Sequence, residues 1–271
     1  MIGVVGLGFT SVTFSRFLAI AQELGCDGFE LCTIPGAHRG TLDLTEGTKR
    51  AQAKEQIEAA GLRVLSVAGY NDFSLPANHQ REVAQLEYYI QLAREFDCRL
   101  VRVFAGDGTD PDLFAHVKAG FQRAVALAEE QDVVLALENH GHQFNDGGLI
   151  CRLLEEIDSP YLRATLDTGN FFWAGHSVET GHRFARQVCS YAANVHLKDF
   201  VYGPDGSVQF VPLGEGLVDL PGIIGELKAV GYQGPYLSEY EGFGDPRKVT
   251  VDADLLKERS AQCLEYLRSI L

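Results

Sequence analysis

The chain has 271 residues, with 23 lysines and arginines against 37 aspartates and glutamates, a formal charge of −14. Hydrophobic residues make up 46% and charged residues 22%, the balance of a packed globular protein, which excludes a disordered chain. No run of 18 apolar residues is present, so no membrane span is expected, and the acidic balance counts against nucleic acid, whose binders carry a basic footprint. The opening MIGVVGLGF lacks a basic n-region and reads as a strand rather than a signal peptide. The six cysteines are scattered and form no C-x-x-C pair, which points to reduced thiols in a cytoplasmic protein.

Apolar runs alternate with helical patterns along the whole chain. A strand over 2–7 is followed by a helix over 15–24 that stops at Gly25. A strand over 28–32 precedes a helix over 46–60, ended by Gly61. The pattern continues with strand 62–68, helix 80–96, strand 98–104, helix 111–130, strand 132–138 and helix 147–157. It closes with strand 161–167, helix 178–188, strand 192–198, helix 220–230, strand 235–240 and helix 252–270. Pro221 stands in the first turn of the seventh helix and Gly231 just past its end, as helix signals require. Eight strand–helix units of about 34 residues each predict a parallel sheet. With nothing left over, the expectation is a single-domain (β/α)8 TIM barrel spanning residues 1–271. The longest loops follow strands two, three and seven, on the C-terminal face where barrel active sites lie.

One motif points elsewhere. Gly6-Leu7-Gly8 follows a strand, and Glu30 comes 22 residues after Gly8, as in a dinucleotide-binding fingerprint. Ser11 stands where the third glycine belongs, so the reading preferred here is a tight loop at the barrel mouth.

Four consecutive strands end in groups able to hold a metal: Glu138 in LALENHG, Asp167 in ATLDTGN, His196 in NVHLKD and Glu239 in YLSEYEG. Side chains alternate along a strand, so Val134 and Ala136 share a face with Glu138 while Leu135 and Leu137 face the helices. One strand-end carboxylate usually caps a helix or pairs with a cation. Four on successive strands would converge at the barrel mouth. Three carboxylates and an imidazole suit one divalent ion, Mn²⁺ first, with Mg²⁺, Co²⁺ and Zn²⁺ compatible.

Around this set, His140 could support a ligand or face water, and Asn170 could bind a substrate hydroxyl or cap the following helix. Lys198 could hold a substrate oxygen or pair with Glu241 or Asp199. Trp173 and Tyr70, with Phe9 and Phe144, are candidate pocket walls, although core packing explains most aromatics. Glu215 in LGEG is a candidate for closing over the site, with loop solvation as the alternative.

The pattern LENHG, LDTGN, VHLKD, GEGLVD and GYQGPYLSEYEG resembles the xylose-isomerase-like TIM barrels, over essentially the whole chain. That family includes sugar phosphate isomerases and epimerases, hydroxypyruvate isomerase, ketose 3-epimerases, inosose dehydratase and endonuclease IV. The resemblance implies that Glu138, Asp167, His196 and Glu239 bind one divalent metal and that Glu138 and Glu239 exchange the substrate proton. It implies a small-molecule sugar substrate, a keto-sugar or small hydroxy-ketone isomerised or epimerised through an enediolate. Many members form dimers or tetramers, so a homo-oligomer is compatible with it. The chain departs from many epimerases at Asn170, where they carry histidine. It departs from ketose epimerases at Phe144, where they often carry glutamate, and at Tyr202, where they often carry arginine. These departures leave an inosose-type dehydratase or a keto-sugar lyase open on the same metal site. An endonuclease IV-like nuclease is disfavoured, because Val67-Ala68-Gly69 and Phe104-Ala105-Gly106 offer none of its extra histidines. A non-catalytic sugar-binding barrel is disfavoured by the intact pair of glutamates.

Overall fold

The computed structural model describes residues 1–245 and 248–271. Eight parallel strands close on themselves: β1 (Ile2–Val5), β2 (Gly28–Leu31), β3 (Arg63–Ala68), β4 (Leu100–Val103), β5 (Val134–Glu138), β6 (Leu162–Asp167), β7 (Ala192–Leu197) and β8 (Tyr236–Ser238). Each is followed by a principal helix: α1 (Phe14–Glu23), α2 (Gly47–Ala59), α3 (His79–Glu95), α4 (Leu113–Glu130), α5 (Gly147–Ile157), α6 (Val178–Val188), α7 (Leu220–Ala229) and α8 (Ala253–Ile270). The fold is the (β/α)8 barrel that the repeat pattern predicts. Among the described residues no helix is long and apolar enough to cross a membrane, and no disulfide is formed.

The helices begin where local chemistry dictates. Thr13, Asp146, Ser177, Asp219 and Asp252 each accept a backbone N–H from the first turn of the helix they precede. Asp219 does so ahead of Pro221, whose missing N–H costs nothing at a helix start.

The chain divides into two compact units. The first comprises 1–65, 196–218 and 235–271. Here β1 pairs with β2 (Val5 opposite Glu30) and with β8 (Val4 opposite Ser238). Phe29 and Leu31 of β2 are fully buried, and Phe29 meets Phe17 of α1 edge-on at 4.9 Å. Gly6 is required by close approach: a Cβ there would lie 2.6 Å from the carbonyl oxygen of Glu30. Residues 6–9 form one short 3₁₀ turn, so Gly6-Leu7-Gly8 is the tight loop expected.

A hairpin absent from the sequence expectation follows β7. Residues 199–202 pair antiparallel with 208–211 around Gly203-Pro204-Asp205-Gly206, a turn-forming run flanked by alternating apolar residues. The adjoining loop is tied down by buried Asp199. Its carboxylate accepts the backbone N–H groups of Phe200, Gly214, Gly216 and Val218 at 2.9 to 3.0 Å. Burial raises the Asp199 pKa, and these four donors oppose the rise.

The second unit comprises 66–195 and 219–234. It pairs β3 with β4, β4 with β5 and β5 with β6, placing Arg102 opposite Ala136 and Glu138 opposite Thr165. Phe121 of α4 packs edge-on against Phe73 at 5.1 Å. Phe144, a candidate pocket wall by sequence, is fully buried here, and Phe9 is buried against Phe17 in the first unit. Their burial is what core packing, the alternative explanation for such aromatics, requires.

His38, fully buried after β2, stacks on Phe17 at 4.8 Å. Burial pushes its pKa down to about 4, with a bond to the Phe9 backbone opposing. Its unfolded value is about 6.5, so its contribution is complete above that pH. That contribution shrinks as pH falls toward 4, by up to about 3 kcal/mol. Urea unfolding at pH 7, 5.5 and 4 should therefore show a shallower stability loss for His38→Asn than for wild type. Parallel curves would remove His38 as the cause.

Candidate active site

In the second unit, Glu138 ends β5 with its side chain 5% exposed. Two groups orient it. Asn170 Nδ2 donates to Oε1 at 3.0 Å, and Arg102 Nε lies 3.2 Å from Oε2. Arg102 is itself 2% exposed. Its Nη1 donates to the Gly69 carbonyl at 3.0 Å, and its guanidinium lies 4.9 Å from the Tyr70 ring and 4.3 Å from the Phe104 ring. A planar cation packed against two rings has few alternative positions, so the carboxylate it pairs with is also held.

Asp167, fully buried at the end of β6, builds the turn beneath it. Its Oδ1 accepts the N–H groups of Gly169 and Asn170 at 2.8 and 2.9 Å, which starts the short helix Asn170–Trp173. Asn139 closes the frame. It accepts from Asp167 N at 2.8 Å and donates to Asp167 O at 2.9 Å, locking the ends of β5 and β6 together. Toward solvent, an aromatic series runs from Phe104 to His140 (4.6 Å) to Trp173 (5.9 Å). Trp173 is half exposed.

In the first unit, His196 of β7 is 1% exposed between two buried carboxylates. Its Nε2 lies 3.0 Å from Glu30 Oε2 and its Nδ1 3.1 Å from Glu239 Oε2. Burial works against its charge, but the Glu30 and Glu239 carboxylates hold its pKa well above the ordinary imidazole range. Glu239 lies one residue past β8, where its N–H bonds the Leu197 carbonyl. Lys198, also buried, pairs with Glu239 at 3.2 Å and Glu241 at 2.9 Å, with its ammonium 5.6 Å from the Phe210 ring.

The residues named from sequence thus fall into two groups. Glu138, Asp167, Asn170, His140, Trp173 and Tyr70 lie in the second unit; His196, Glu239 and Lys198 lie in the first. Glu215 is exposed on its loop. Sequence reasoning passes over Arg102 and Asn139, and takes Glu30 only as part of the Gly6-Leu7-Gly8 motif. The signal for Arg102 and Glu30 was available: a charge inside an apolar strand, in CRLVRVF and GFEL, has to be paired when the strand is buried on both faces.

The chain belongs to the Xylose isomerase-like TIM barrel family, whose profile matches residues 18–264. It is 24% identical over 260 residues to the 3-dehydroshikimate dehydratase of Bacillus anthracis, covering 90% of each chain. It is 26% identical over 260 residues to the L-ribulose-5-phosphate 3-epimerase UlaE of Shigella boydii, covering 90% of this chain and 89% of that one. The crystal structure of a xylose isomerase-like TIM barrel protein from Mycobacterium smegmatis in complex with magnesium superposes with a TM-score of 0.76. Its identity is 18%, over 100% of this chain and 97% of the other.

Removing one member of a buried ion pair leaves the other desolvated without its partner, at a typical cost of about 3 kcal/mol. Arg102→Leu should therefore lower the unfolding free energy of metal-free protein by about that amount. A urea denaturation midpoint equal to wild type would show that Glu138 does not depend on Arg102.

Proposed function

We propose that the chain is a divalent-metal-dependent sugar isomerase or epimerase acting on a keto-sugar or small hydroxy-ketone. It works as a single barrel domain over residues 1–271. Glu138, Asp167, His196 and Glu239 form the ligand set. The observation that carries this reading is that all four strand-end groups are buried, Glu138 and Asp167 in one unit and His196 and Glu239 in the other, where His196 Nδ1 lies 3.1 Å from Glu239 Oε2. Three carboxylate oxygens and one imidazole nitrogen form a donor set suited to Mn²⁺, with Mg²⁺, Co²⁺ and Zn²⁺ also compatible. A divalent cation held there would stabilise the negative charge that builds on substrate oxygens as the adjacent C–H bond breaks.

The residues divide the remaining work. Glu138 and Glu239 are the acid/base pair: one takes the proton next to the carbonyl and the other returns one to the opposite side of the intermediate. Arg102 and Asn170 fix the aim of Glu138, and Lys198 fixes that of Glu239 while offering an ammonium to a substrate oxygen. His140, Asn170 and Tyr70 are assigned to substrate binding, with the face of Trp173 stacking on the sugar's C–H surface.

A second reading is supported by the likeness to 3-dehydroshikimate dehydratase over 90% of the chain. Its first step is the same proton removal. The electron pair then expels a β-hydroxyl, protonated by the second glutamate as it leaves as water, instead of taking up a proton at carbon. Proton NMR of a keto-sugar, inosose and hydroxy-ketone panel in D₂O separates the two, since epimerisation inserts deuterium without loss of water.

Glu239→Gln should retain part of its metal binding while deuterium exchange from solvent falls by about 100-fold or more, the usual loss of a general base. Unchanged exchange would sink the two-glutamate mechanism. Exhaustive chelation should abolish turnover and Mn²⁺ should restore it. Full activity in protein shown by elemental analysis to be metal-free would overturn the metal assignment.

A further inference from the structure

We infer that Glu30 is a positioning residue for the metal centre. It holds the His196 ring by Nε2, so that Nδ1 is the nitrogen offered to the ion. The inference deepens the proposed function and rests on its metal assignment.

A carboxylate buried inside a barrel strand loses its hydration and needs a specific partner. Glu30 is fully buried, and the structure gives it the Nε2 of His196 at 3.0 Å. A carboxylate only accepts, so the proton of that bond belongs to Nε2. An imidazole that ligates an ion is neutral and carries one ring proton, and with that proton on Nε2 the lone pair is on Nδ1. Nδ1 is the side of the ring that faces Glu239, at 3.1 Å. Both ring nitrogens thus face carboxylates, and because Glu239 is itself in the proposed ligand set while Glu30 is not, the Glu30 bond is the one that keeps its proton when an ion is held and leaves Nδ1 as the ligating atom.

Glu30 is well placed to be rigid. Its strand neighbours Phe29 and Leu31 are fully buried on the opposite face, and Phe29 is clamped by Phe17 at 4.9 Å and Phe14 at 6.3 Å. Its own carbonyl is crowded by the turn at Gly6. The carboxylate that imitates the acidic member of a dinucleotide motif thus acquires a different task, set by the strand on which it sits.

The test is Mn²⁺ titration calorimetry on metal-free wild type, Glu30→Gln and His196→Ala, with thermal unfolding of each. Glu30→Gln should remain folded and bind Mn²⁺ about 10- to 100-fold more weakly, the usual effect of removing a carboxylate behind a ligating histidine. His196→Ala should lose more. Wild-type affinity in Glu30→Gln, with loss in His196→Ala, would overturn the positioning role and leave the metal site standing. Absence of Mn²⁺ binding by wild type, or full affinity in His196→Ala, would overturn both. A measurement that needs no variant is ¹⁵N NMR of histidine-labelled, Zn²⁺-loaded wild type. His196 should show a protonated Nε2 and a metal-shifted Nδ1, and the reverse pattern would overturn the inference even if Glu30→Gln failed to fold.

Discussion

A charge taken out of water inside a barrel must meet a counter-charge or a set of fixed donors, and the buried strand charges of each unit of this protein follow that requirement. Glu138 is met by Arg102 and Asn170; Glu30 and Glu239 are met by His196, with Lys198 on Glu239 as well. Each of these pairings does more than neutralise. It removes rotational freedom from a carboxylate or an imidazole whose use depends on where its atoms point. For the proposed function, proton transfer and metal ligation tolerate little misplacement, so pairing that the interior demands for solvation would also supply preorganisation.

The same principle governs the loops that carry these groups. Asp167 bends the chain after β6 by accepting two backbone N–H groups, and Asn139 binds the neighbouring strand end to it. Asp199 gathers four N–H groups from its own hairpin and the glycine-rich loop beyond. Polar side chains thus replace the sheet hydrogen bonds that end with the strands, which lets the chain turn sharply without leaving backbone donors stranded. The cost is sequence rigidity at Gly6, where a side chain would strike the backbone of β2.

The eight-fold alternation and the strand-end positions of Glu138, Asp167, His196 and Glu239 were legible because both depend on local periodicity. An apolar run between turn signals stays a strand whichever neighbours it finds. The hairpin at 199–211 is not in the sequence expectation although Gly-Pro-Asp-Gly marks a turn, because a turn signal alone does not say whether the residues on either side pair. The partners of Arg102 and Glu30 are not legible for a different reason. A charge in a strand announces that it needs a partner without saying which one, and their partners are 36 and 166 residues away. Phe144 and Phe9 are buried, but an aromatic near a strand end has the same local pattern whether it lines a pocket or fills the core.

The amino-acid sequence by itself therefore determined the barrel and the residue types at its strand ends. Alternation of side chains along a strand and the composition of turns are short-range properties written in consecutive residues. Tertiary structure alone decided the pairing: which nitrogen of His196 meets Glu30, which cation steadies Glu138, and which donors fold the loop around Asp199. Those contacts join residues far apart in the chain, and the need to compensate buried charge can be met by any suitably placed partner until the fold selects one.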